Sequence, residues 1–150
     1  MRSNKVDFLI NWGDTDMAGI VYYPNYFKWF DISGHQFFRS CSLSPSILEE
    51  ERDIILPMID ARCTFEKPLY YDDIITIITT AEEINNKTIK LSHEVFRKEE
   101  RTGYGYELRG WVKKQTEDGI KAVPIPKDVR KILEEEVSTT SQTLKPHFNA

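Results

Sequence analysis

Two carboxylates two residues apart, Asp14 and Asp16, stand between Gly13 and Gly19 and lead directly into Val21-Tyr22-Tyr23-Pro24-Asn25-Tyr26. If a helix starts at Pro24, its first backbone N–H groups are unpaired and carry roughly half a positive charge from the helix dipole. A carbonyl held there is polarised, and a carboxylate a few residues upstream can attack it or activate a water against it. Pro24 has no N–H, so Tyr23 is the last backbone donor before the helix. Gly19 allows a tight turn, or lets a ligand lie against bare backbone. By residue type alone, the commoner task of an aspartate like Asp16 is to accept hydrogen bonds from its own loop or to cap the helix. Asp14, the first acid, fits the fixing of the turn.

Other reactive side chains form no comparable pattern. His35, His93 and His147 lack metal-ligand spacing, and there is no Gly-x-Ser-x-Gly elbow for a serine nucleophile. His93 falls on the apolar face of a strand pattern and is expected to be a hydrogen-bonded core residue. Cys41 and Cys63 are too far apart for a redox or metal pair and are expected as free thiols.

The elements that must hold the loop follow from periodicity. Val6, Phe8 and Ile10 alternate with polar neighbours and predict a first strand over residues 5–11. From Pro24 onwards Phe27, Phe30, Gly34, Phe37 and Cys41 recur at helical spacing, widened by Tyr26, Trp29 and Phe38, so the helix is expected to be buried on most sides. Gly34 in its middle costs about 1 kcal/mol of helix propensity and predicts a sheet packed closely against it. Ser44-Pro45 predicts a short helix with Ser44 as N-cap.

From Ile54 the period becomes two. Ile59, Ala61, Cys63 and Phe65 share one face; Ile75, Ile77 and Thr79 another; then Ile89, Leu91, His93 and Val95. Tyr106, Leu108 and Val112 oppose Glu107, Arg109 and Lys113. Asn85-Asn86-Lys87, the run from Glu99 to Gly103, and Glu117-Asp118-Gly119 are expected as turns, which gives an antiparallel meander. Residues 126–136 predict a short amphipathic helix, and residues 138–150 a flexible polar tail. The chain is thus expected to form one domain over residues 1–137, α+β in class, with a long antiparallel sheet wrapped around a central helix: the hotdog fold.

With 150 residues, net charge −4 and a sequence pI near 5.4, the chain has neither the size for two full domains nor the basic balance of a general nucleic-acid binder. No apolar run approaches the roughly 20 residues of a membrane span. The charged start argues against a secretory signal, so a cytoplasmic location is expected.

The stretch from Gly13 to Tyr26 resembles the opening motif of the 4-hydroxybenzoyl-CoA thioesterase family, in which such a run leads into the central helix. The segment from Ile59 to Asp73 resembles that family's second strand and the turn closing it, so the likeness spans most of residues 6–125. It implies hydrolysis of an acyl-CoA with no bound cofactor or metal, with Asp16 as nucleophile or general base and the Tyr23 N–H holding the thioester oxygen. It implies a homodimer or homotetramer with sites at subunit interfaces. Asp31 falls at a position implicated in the acyl pocket and points to a polar acyl tip; a solvent-facing or interface acid is its plainer role. At Asn85–Thr88, where the hydroxybenzoyl-CoA enzyme has a basic turn meeting nucleotide phosphates, Lys87 alone keeps a charge, with Arg97, Lys98 or Arg101 as substitutes. Met17 stands where relatives often have proline. The alternative of another class is a non-catalytic hotdog module that binds acyl-CoA or acyl carrier protein.

Overall fold

The computed structural model describes residues 1–137 and 142–143. Strand β1 (Ser3–Leu9) leads into the loop, followed by helix α1 (Pro24–Ser40) and helix α2 (Pro45–Arg52). Then come β2 (Ile54–Ile55), β3 (Met58–Phe65), β4 (Ile74–Ile84), β5 (Thr88–Arg97), β6 (Glu100–Gly110), β7 (Val112–Thr116), β8 (Gly119–Ala122), helix α3 (Lys127–Glu134) and β9 (Gln142–Thr143). The main sheet has the order β3-β6-β5-β4-β1-β9, antiparallel except for β9, which pairs parallel with β1. A small second sheet joins β2, β7 and β8. Apart from β9, the expected tail falls outside the described residues.

Helix α1 begins at Pro24, whose fixed φ suits a first helical residue. Its inner face, Tyr26, Trp29, Phe30, Gly34, Phe37 and Phe38, is buried against Val6, Phe8, Ile75, Ile77, Leu91 and Val95 of the sheet. Each such side chain contributes about 1.5–3 kcal/mol of burial free energy, enough to override the propensity cost of its aromatic and β-branched neighbours. The helix is not buried on most sides, however. Phe27, Lys28, Asp31 and His35 form an exposed face, because one sheet covers only one side of a cylinder. Ser44 occupies the N-cap of α2, yet its hydroxyl meets Ser46 instead of capping.

Two strand expectations are corrected. The turn between β5 and β6 is only Lys98-Glu99, with Lys98 at φ 57°, and Arg101 to Gly103 belong to β6. In β6 the residue facing the helix is Glu107, buried at 1% exposure, while Tyr106 and Leu108 are half-buried on the other face. Val112 lies beyond Trp111 in the separate strand β7.

Candidate active site

The loop between β1 and α1 is a small ladder. The N–H of Tyr22 donates to the Asp14 carbonyl at 2.9 Å, Thr15 bridges Val21, and the N–H of Asp16 donates to the Ile20 carbonyl at 3.0 Å. Asp16 is thereby fixed opposite Ile20, close to the helix entrance. The ladder is anchored to the domain by the N–H of Val21, which donates to the Leu69 carbonyl at 2.9 Å. Asn25 Nδ2 donates to the Asp14 carbonyl at 2.8 Å and ties the first turn of α1 to the loop.

The two acids do different things. Asp14 Oδ2 accepts the Asn11 N–H at 2.8 Å and closes the turn that starts the loop, as its position suggested. Asp16 Oδ1 accepts the Ala18 N–H at 2.8 Å, and the Gly19 N–H returns to the Asp16 carbonyl at 3.0 Å. Gly19 makes this turn with φ 79°, a conformation that residues with a Cβ rarely adopt. Asp16 is solvent-exposed, and its Oδ2 has no partner among the described residues. Tyr23, with helical φ −54° and ψ −34°, presents an N–H that meets no acceptor among them either.

Beside this junction lies a cavity of about 270 Å³ lined by Ile20, Val21, Tyr23, Tyr26, Phe65 and Leu69. Glu66 and Lys67 also line it, paired with Arg101 and Glu100. Burial pushes the Tyr26 phenol up to about 12 and the nearby Cys63 thiol up to about 12, so both are protonated near neutrality. Tyr26 and Trp29 are buried core residues, whereas Tyr22 and Tyr23 are exposed. Cys41 and Cys63 are free thiols, and among the described residues no cluster of His, Cys, Asp or Glu could hold a metal.

Asp31 lies on the exposed face of α1, about 12 Å along the axis from Tyr23. With Gly34, His35, Phe38, Leu56 and Arg109 it lines a second cavity of about 260 Å³. Behind that cavity runs a network that the sequence did not reveal. Asp31 Oδ1 accepts from Arg109 at 2.8 Å, Arg109 Nε donates to Glu107 Oε2 at 2.8 Å, and His93 Nε2 lies 2.7 Å from Glu107 Oε1. A carboxylate can only accept, so the His93 proton facing it is on Nε2, and the Thr79 hydroxyl lies 2.8 Å from Nδ1. The available signals were Glu107 and Arg109 at i and i+2 on one strand face, His93 on an apolar face, and Gly34 in a helix.

Lys87 is at the other end of the molecule. The Asp16 loop is stitched to the start of β4, where the N–H of Ile10 donates to the Asp73 carbonyl, and Lys87 follows the end of that strand. Eleven residues of β4 separate them, roughly 35 Å of strand. Trp111 N–H bonds the Lys87 carbonyl at 2.8 Å, and Arg130 bonds the carbonyls of Ile84 and Asn85, both at 2.7 Å, so the turn is firmly placed. Of the other cations, Arg97 pairs with Asp73 and Glu100, and Arg101 with Glu66 and Glu94. The structure therefore keeps Asp16, Gly19 and Tyr23 together and sets Asp31 and Lys87 apart from them.

A profile of the thioesterase-like superfamily matches residues 10–133. The 4-hydroxybenzoyl-CoA thioesterase of Pseudomonas sp. (strain CBS-3) is 34% identical over 98 residues, covering 64% of this chain and 70% of its own. A crystal structure of a 4-hydroxybenzoyl-CoA thioesterase variant complexed with 4-hydroxybenzoyl-CoA aligns with TM-score 0.80 and 28% identity over 89% of this chain and 100% of the other. A gentisyl-coenzyme A thioesterase aligns with TM-score 0.75 and 33% identity over 88% and 100%. The fold is that of a hotdog thioesterase. The chain belongs to the thioesterase-like superfamily, and the activity supported at that level is hydrolysis of acyl-CoA thioesters.

Proposed function

We propose that this protein hydrolyses a hydroxylated aromatic acyl-CoA to the free acid and CoA, with Asp16 as nucleophile or general base and the Tyr23 N–H as donor to the thioester oxygen. The observation that carries this reading is the loop ladder, which brings a carboxylate with one unengaged oxygen and a backbone N–H without an acceptor to one helix entrance. As the thioester carbonyl becomes tetrahedral, negative charge gathers on its oxygen, where one fixed N–H donor is worth about 10²–10³ in rate. A positioned carboxylate that activates water adds about 10²–10⁴. The thiolate of CoA is a good leaving group and asks for no strong acid, in keeping with a junction that offers none.

The aromatic acyl group is suggested by the relatives, which act on 4-hydroxybenzoyl-CoA and gentisyl-coenzyme A, and by the ring-lined cavity beside Tyr23. Asp31, at the second cavity, is assigned to the polar tip of the acyl group. Lys87 is assigned to the nucleotide phosphates. Because Lys87 and Asp16 stand at opposite ends of β4, and Asp31 lies farther along α1 from Tyr23 than a hydroxybenzoyl group reaches, one acyl-CoA meets all of them only if two copies of the chain contribute. We therefore infer a homodimer or homotetramer, built on the exposed face of α1 and the open edge of β3. Among the described residues no helix is long and apolar enough to cross a membrane, and a cytoplasmic location is part of the proposal.

The test is release of free thiol from a panel of aromatic and aliphatic acyl-CoAs. Turnover of hydroxylated aroyl-CoAs is the expected result. Tight binding of the whole panel without turnover would instead identify a non-catalytic acyl-CoA-binding hotdog module.

A further inference from the structure

We propose that Glu107 and Arg109 are positioning residues for acyl specificity: they lock Asp31 at the wall of the second cavity so that its free oxygen accepts a hydrogen bond from a hydroxyl on the acyl group. This inference rests on the thioesterase reading above and assigns the side chains that make its specificity sharp.

The argument begins with cost. Placing a carboxylate in a core is unfavourable even when it is paired, and apolar residues of similar volume commonly serve stability as well or better. Glu107 is 1% exposed on a face where alternation would put an apolar side chain, and it sits under Gly34, where a Cβ would come within 3.0 Å of Oε1. Packing therefore does not explain Glu107. What the residue supplies is direction. His93 holds Oε1 at 2.7 Å and is itself immobilised by Thr79 at Nδ1 and by Phe30, stacked at 4.5 Å and 13°.

From that fixed point Arg109 is aimed outwards. Its Nε and one terminal nitrogen lie 2.8 and 2.7 Å from Glu107 Oε2, and its other terminal nitrogen donates to the Leu56 carbonyl at 2.8 Å. The terminal nitrogen that faces Glu107 also donates to Asp31 Oδ1, at 2.8 Å. A surface aspartate with a 67% exposed side chain would otherwise sample several rotamers. Here it is held, so a ligand bound to it need not bear the cost of ordering it.

The cavity's polar groups then sort themselves. Arg109 is engaged by its three partners, and Glu49 pairs with Lys114. Asp31 Oδ2 and the His35 ring, one helical turn apart on α1, have no partner among the described residues. The remaining wall includes Gly34, Phe38, Pro45, Ile55 and Leu56. An acyl group that fits has an apolar body and a hydrogen-bond donor at its tip, while a second carboxylate would be repelled by Asp31 and Glu49. A hydroxyl meets these requirements.

The experiment compares 3- and 4-hydroxybenzoyl-CoA with benzoyl-CoA, using wild type, Arg109→Met and Glu107→Gln, with folding checked by thermal unfolding. Wild type should favour at least one hydroxylated thioester in kcat/KM by 10-fold or more, and each variant should reduce that ratio at least 10-fold. A purely structural role would lower all three rates together and leave the ratio unmoved, which would overturn the inference; so would a wild type without the preference. Glu107→Gln keeps the side-chain volume but only one of the two acceptor oxygens that serve His93 and Arg109, and Arg109→Lys replaces Arg109→Met if that variant does not fold. Failure of wild type to hydrolyse any thioester of the wider panel would instead bring down the functional reading, and this inference with it.

Discussion

Glu107 Oε1 accepts a hydrogen bond from His93 Nε2 at 2.7 Å, and neither side chain reaches solvent. Glu107→Ala should destabilise the protein by about 3 kcal/mol, since it strands the Arg109 charge and leaves a cavity. Glu107→Gln keeps the volume and one of the two acceptor oxygens, and should cost clearly less. Urea unfolding with unchanged m-values measures both. Equal costs would show that the carboxylate, which both variants lose, governs the site and that volume does not.

Gly19 turns the chain at φ 79° between the Asp16 carbonyl and Ile20. An added Cβ meets no neighbour within 4 Å, so the cost of Gly19→Ala is backbone strain alone, about 1–2 kcal/mol. The loop should relieve that strain by opening, with kcat/KM falling more than 10-fold while the unfolding temperature drops only a few degrees. Unchanged activity would mean that the turn is not needed to present Asp16.

Alkaline stability should report the buried acids. Burial raises the Cys63 thiol from an ordinary 9.0 to about 12, and the Tyr26 phenol from 10.0 to about 12. The unfolded chain gives up these protons first. Their contribution is therefore fully present below pH 9 and is lost as pH rises towards 12. Unfolding free energies from pH 8 to 11 should fall, and Cys63→Ala should flatten the fall. Identical slopes in the two proteins would contradict the burial effect.

Much of the fold could be read from periodicity because α1 and the strands each bury one face. Pro24, the alternation of β4 and β5, and the close approach at Gly34 all had local causes. Glu107 did not. A buried charge is tolerated only because His93, Arg109 and Gly34 converge on it from three elements, and that convergence exists only after folding. The exposure of Phe27 escaped for a related reason, since an apolar stripe does not say how many neighbours cover it. In the candidate site, the closeness of Asp16, Gly19 and Tyr23 was legible because they are near one another in sequence. The distance to Lys87 was not, because it depends on the direction in which β4 leaves the loop.

Asp16→Asn is the most direct test of the account, because asparagine keeps an oxygen for the Ala18 N–H and so preserves the turn while removing the carboxylate. On a hydroxylated aroyl-CoA that the wild type turns over, kcat should fall about 10²–10⁴-fold, with KM within a few-fold and the unfolding temperature unchanged. A variant that releases CoA at the wild-type rate would show that Asp16 only shapes its loop.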